Sequence, residues 1–240
     1  MKKILELTNS MSGYGTLKHT FKDDEDKHFY GENEDFDYQI CLWHLPSVES
    51  LTKEDLDTID EIRIWYCSKN TNESMFMAVI VYILEEYRNK IHLIDIVKYE
   101  GRPGSHYYCV GELNGHDVQK VQPLQIKLTE EQTAFCEKVV CYYFERDQYA
   151  DSFMMIKGHT IYELSHSEIK EYILSNFENY AVPSHTIGKV MGYEREEKGW
   201  CFGDNVIYKF IADLINEGKI MVQASFHERY AFPPKLFIKP

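Results

Sequence analysis

Apolar and polar positions change period several times along this chain, and the changes mark its elements. "KILEL" (3–7) is a short apolar run that reads as a first strand, and "YQICLW" (38–43) reads as another. "TKEDLDTIDE" (52–61) sets Thr52 ahead of acidic residues, the chemistry of a helix N-terminus. "IRIWYC" (62–67) alternates as a strand does, and "IHLIDIV" (91–97) repeats the pattern. Between them "TNESMFMAVIVYILEEYR" (71–88) is apolar on nearly every face in its middle, so it predicts a helix covered on both sides. Strand and helix alternate, which predicts an α/β fold: a mainly parallel sheet with flanking helices.

The second half changes character. "LTEEQTAFCEKVVCYYFERDQY" (128–149) predicts a long helix starting at Thr129, with Phe135, Val139 and Tyr142 on one stripe. "FMMIKGHTIYEL" (153–164) predicts two short strands about Lys157 and Gly158. In "SHSEIKEYILSNF" (165–177), Ser165 and Glu168 have capping-box spacing, and "VPSHTIGKVMG" (182–192) predicts a short helix. "GDNVIYKFIADLINEGK" (203–219) puts Val206, Ile207, Phe210, Ile211, Leu214 and Ile215 on one face, with Gly218 as the stop. Strands at "IMVQASF" (220–226) and "KLFIKP" (235–240) follow. Helix, short helix, long helix and hairpin is the order of a winged helix. The expected organisation is therefore an α/β domain at 1–122 and a smaller, mostly helical, winged-helix-like α+β domain at 123–240, divided at "QPLQIKL".

Charge narrows the function classes. The chain holds 26 basic and 39 acidic residues, a net charge of −13. That argues against nucleic acid or an anionic membrane surface as partner, because affinity for phosphate backbones comes from clustered Lys and Arg. Much of the acidity lies in "KDDEDKHFYGENEDFD" (22–37), which has no apolar period and reads as a solvated loop. The longest apolar stretch, "MFMAVIVYIL" (75–84), is half a membrane span, and the N-terminus has too short an apolar segment for a signal peptide. Six cysteines without a CxxC motif read as reduced thiols of a cytoplasmic protein.

Two stretches carry candidate chemistry. "TNSMSGYGTLK" (8–18) follows the first strand directly, so its hydroxyls and free N–H groups gather where a helix starts, a place that favours an anion. It is no dinucleotide fingerprint, since Lys18 stands where G-x-G-x-x-G needs its third glycine. There is also no P-loop and no nucleophile elbow. "CSKNTNE" (67–73) follows another strand and emerges at the same sheet edge if the sheet is parallel, where open α/β sheets bind ligands. Asn70 and Glu73 suit either a polar ligand or the cap of the next helix. Metal ligation finds less support: Cys41 with His44, and His106 with Cys109, are three apart in strand-like segments, where such pairs face opposite sides. No catalytic triad and no cofactor motif is legible.

The turn "TNSMSGYGTLK", then "IRIWYCSKNTNESMFMAVIVYIL" and "VGELNGHDV", resemble a bacterial family catalogued as domain of unknown function 1835. The stretch from "FMMIKGHTIYELS" through "FIADLINEGKI" resembles its usual C-terminal companion, domain of unknown function 3658. In the family the first turn tends to read Gly-Asp-Ser, and Thr8, Asn9 and Ser10 occupy those places with the carboxylate lost. A later motif reads roughly Trp-x-Gly-x-Asn-x-x-Glu. Trp65, Asn70 and Glu73 align to its ends with one extra residue, and Cys67 or Ser68 stands near the glycine. "WHLPSVE" (43–49) lacks the family's acidic residue and Gly-Pro. The resemblance brings no activity with it. The expectation is a small anionic or nucleotide-like ligand held by Asn9, Ser10, Ser12, Gly13, Asn70 and Glu73. The alternative is a non-catalytic adaptor that meets a protein partner through its C-terminal domain.

Overall fold

The computed structural model of the 240-residue chain describes residues 1–25, 27–30, 52–99, 107–146, 151–177, 185, 187–190, 200, 202, 204–223, 226–227, 230–231 and 235–238. The expected strand at 38–43, the "WHLPSVE" stretch, most of the 182–192 helix, and Cys41, His44, His106 and Cys201 lie outside them.

Strand β1 (Lys3–Leu7) is central because Ile4, Leu5 and Leu7 leave both its faces apolar. It pairs in parallel with β2 (Lys27–Tyr30) on one side and β3 (Glu61–Tyr66) on the other, with Leu5 opposite Ile62. Strand β4 (Ile91–Asp95) continues in parallel, and β5 (Ile126–Lys127) closes the far edge antiparallel. The order is β2-β1-β3-β4-β5, so the mainly parallel α/β sheet expected from the sequence is present. Part of the run expected to be a solvated loop is strand β2, a correction the local pattern hides because the pairing to β1 is long-range. The order reverses between β1 and β3, which makes their carboxyl ends the crevice where sheets of this kind take ligands.

Helices cover both faces. Helix α1 (Met11–Thr20) and α4 (Gly115–Val121) lie on one, where Leu17, Trp65, Ile94, Val118 and Val121 form a common core. Helix α2 (Lys53–Thr58) is short and closed by a capping box between Thr52 and Asp55. On the opposite face α3 (Thr71–Ile83) packs against α5 (Glu130–Glu145), which supplies the second cover its all-round apolarity demands. The buried stripe of α5 is Cys136, Val139 and Val140 rather than the expected Phe135, Val139 and Tyr142. Its cap matches expectation, with Thr129 boxed to Gln132.

By contact density the chain divides into Met1–Asp147 with Ile156–Ile161, and Gln148–Met155 with Tyr162–Pro240. The division falls after α5, not at 122–128, because α5 is bound to α3. In the second unit, β6 (Ser152–Lys157) and β7 (Thr160–Ser165) join through Gly158, whose φ of 59° suits glycine. The tip of this hairpin groups with the first unit. Helix α6 (His166–Ser175), helical residues 187–190 and α7 (Asp204–Asn216) follow. Ile169, Ile173, Trp200, Ile207, Phe210 and Leu214 make their core. Strand β8 (Ile220–Gln223) then pairs antiparallel with β11 (Lys235–Ile238), and β9 (Phe226–His227) with β10 (Tyr230–Ala231). No described helix is long and apolar enough to cross a membrane.

Candidate functional site

The two candidate turns stand at the same end of the sheet, as the parallel pairing of β1 and β3 requires. Their polar groups are engaged within the fold. Ser10 is the N-cap of α1, its Oγ accepting from the Gly13 amide at 3.1 Å. Asn70 caps α3, accepting from the Asn72 and Glu73 amides and donating from Nδ2 to the Tyr108 carbonyl at 3.1 Å. Ser12 is exposed on α1, and Asn9 is half-buried in the turn.

The turns meet through a third segment, residues 107–113. Glu73 accepts from the Cys67 amide at 2.8 Å and the Val110 amide at 2.9 Å, joining the end of β3 to that segment. Gly13 lies so close to Val110 that a Cβ on it would stand 2.9 Å from Cγ1. A Cβ on Gly111 would stand 2.5 Å from Ser10 Oγ. Val110 and Gly111 thus fill the space at Ser10 and Gly13 that an anion would need. Gly111→Ala is expected to cost about 1–3 kcal/mol in urea unfolding, because the added methyl displaces the capping hydroxyl. The double variant with Ser10→Ala should cost less than the sum of the singles, since the clash leaves with the hydroxyl.

Burial dominates the state of Glu73 and pushes its pKa up to about 8; the two amides oppose that rise, and Glu112 and Asp95 add to it. A second buried charge group lies on the face of the sheet that bears Trp65. Glu6 accepts from Arg63 Nη1 at 3.1 Å and from Trp65 Nε1 at 2.6 Å, and Arg63 Nε reaches Glu61 at 2.6 Å. Burial alone would raise Glu61, but Arg63 and Lys2 outweigh it and hold its carboxyl below the usual range.

A cavity of about 120 Å³ opens on the opposite face, at the carboxyl ends of β3 and β4. Its floor is Met77, Leu93 and Phe135, and its polar groups come from Tyr66, Ser68, Ser74, Asp95, Lys98 and His159. Ser74 is 2% exposed, and its hydroxyl has no hydrogen-bond partner. Asp95 accepts from the Ser68 and Val97 amides, both at Oδ1. Burial and then the Asp95 charge raise the pKa of Tyr66. His159, from the hairpin tip, stacks on Phe135 with centroids 5.0 Å apart.

None of Asn9, Ser10, Ser12, Gly13, Asn70 or Glu73 lines this cavity. Asn70 and Glu73 stand between Ser68 and Ser74 in the chain, but their side chains bond to Cys67, Tyr108 and Val110, which do not line it. A local signal did exist for one lining residue: Asp95 ends an apolar strand, whereas Ser74 merely closes the polar first turn of its helix. His159 arrives from a distant hairpin, so no local pattern announces it.

No group of His, Cys, Asp and Glu among the described residues could hold a metal ion. The described cysteines, 67, 109, 136 and 141, form no disulfide. Burial pushes the Cys136 thiol up to about 12, while Cys141 is exposed. Alkylation of native protein followed by peptide mass spectrometry should therefore label Cys141 well before Cys136 or Cys67.

Neither a family model nor any curated protein matches the chain.

Proposed function

We propose that the first unit is a binding module for a small ligand that bears an anionic group, held in the cavity at the carboxyl ends of β3 and β4. The observation that carries this reading is Ser74: a hydroxyl shut from solvent without a partner, in the wall of a cavity at the edge where such sheets bind ligands. Lys98, exposed beside the cavity, makes no hydrogen bond or ion pair among the described residues and offers the positive charge. Pockets for drug-sized molecules run to about 300–1,000 Å³, so a cavity of 120 Å³ suits a small ligand or one group of a nucleotide. The turn at Ser10 and Gly13 acts here as support. Thermal melting of the full chain with inorganic phosphate, acetate, sugar phosphates, nucleotides and amino acids tests the reading. A ligand at a hundredfold excess over its Kd should raise Tm by roughly 5–10 °C. A uniformly flat panel would defeat it.

A second reading is that the last unit is a winged-helix-like platform for a protein partner, a reading that the order of its helices and strands supports. Tyr208, Met221 and Val222 favour it, being exposed on α7 and β8. Duplex DNA is a poor candidate, because α7 carries Asp204 and Asp213, with Glu217 just beyond its end, against Lys209. Photo-crosslinking from position 221 in a lysate tests it; a product lost in a Tyr208→Asp background would support it. That the four described cysteines form no disulfide supports a reducing, cytoplasmic setting.

A further inference from the structure

We infer that the cavity bordered by Ser74, Asp95 and Lys98 receives a small zwitterion of the α-amino-acid class; this rests on the binding reading above. Size sets the first limit. An engineered cavity of about 150 Å³ holds benzene, with six heavy atoms, so about 120 Å³ suits glycine within it, or alanine or serine with an atom or two in its open mouth. Charge sets the second. Asp95 accepts both of its backbone bonds at Oδ1, and Oδ2 has no partner among the described residues. Lys98 stands three residues further on, at the end of the 3-10 turn Ile96–Lys98, and the two side chains make no ion pair.

A simple anion would meet the Asp95 carboxylate, and a simple cation would meet the Lys98 ammonium. A molecule bearing both charges satisfies both groups, its ammonium donating to Asp95 Oδ2 and its carboxylate accepting from Lys98. Chemistry inside the cavity completes the fit. The buried Ser74 hydroxyl donates to the ligand carboxylate, and Met77, Leu93 and Phe135 take a short side chain.

The test uses the full chain, with thermal melting and calorimetric titration. L-alanine and L-serine should raise Tm, while propionate and ethylammonium, the two halves of alanine's charge pattern, should not at equal concentration. Asp95→Asn and Lys98→Met should each weaken alanine binding at least tenfold. Asp95→Asn keeps the Oδ1 acceptor for the Ser68 and Val97 amides, so the turn is retained and circular dichroism should match the wild type. Ser74→Ala is the second variant and should weaken binding without unfolding the helix. Binding of phosphate or propionate in place of alanine would overturn the zwitterion and leave an anion site standing. Alanine binding undiminished in both Asp95→Asn and Lys98→Met would overturn the charge assignment. Silence from every probe would overturn this inference and the binding reading together.

Discussion

Arg63→Met is expected to destabilise the first unit by about 3–5 kcal/mol, seen as a lower urea midpoint at unchanged slope. The guanidinium stands between two buried carboxylates, Glu6 and Glu61, and both stay in place when it goes. Hydrophobic gain from methionine cannot offset two buried carboxylates that keep Lys2 and the Trp65 indole but lose the guanidinium. Removing one carboxylate as well should relieve part of the loss. The double variant Arg63→Met/Glu6→Gln should therefore cost less than the sum of the singles by at least about 1 kcal/mol. Additivity would show that the pairs contribute nothing specific.

Glu73 gives the second large effect. Glu73→Ala leaves the Cys67 and Val110 amides without an acceptor, at about 1–3 kcal/mol each, and detaches residues 107–113 from the end of β3. The wild-type side chain also makes stability depend on pH. Its folded pKa, about 8, lies above the ordinary 4.5, so the folded state holds the proton more tightly. The contribution is complete below pH 4.5, falls as pH rises, and is gone above about pH 8. At 1.36 kcal/mol per unit the span is roughly 3–5 kcal/mol. Glutamine does not titrate and keeps one of the two acceptors, while its NH2 group cannot accept from the second amide. The wild-type advantage over Glu73→Gln should shrink steadily between pH 5 and 8, and an advantage that grows with pH would refute the assignment.

How far the sequence announced this structure depends on the range of the interaction concerned. Thr52, Thr129 and Ser165 cap their helices as their spacing implies, because a capping box closes within four residues. The strands at β1, β3 and β4 are equally local, being apolar runs that no other period explains. Strand β2 was hidden in an acidic run, since only β1 makes it a strand. The end of the first unit was misplaced for a similar reason: α5 has a helix pattern of its own, and nothing in it names α3 as partner. Alternation in "EIRIWY" does place Glu61, Arg63 and Trp65 on one face, but their meeting with Glu6 needs the register of two strands. Asn70 was legible as a cap of the next helix, because that contact is local. The bond from Asn70 to Tyr108 and the one from Val110 to Glu73 were not, since those partners lie nearly forty positions away.

The hairpin tip that groups with the first unit has a consequence for biosynthesis. Thr71 Oγ1, at the start of α3, accepts from the Ile156 amide at 3.0 Å and donates to the Ile156 carbonyl at 3.3 Å. His159 and Gly158 reach the cavity from the same tip. A nascent chain that has left the ribosome only as far as α5 therefore has every strand of the sheet and still lacks part of the cavity wall. Completion of the cavity has to wait for residues translated later, so on the proposed binding reading a fragment ending at residue 147 should bind more weakly than the full chain.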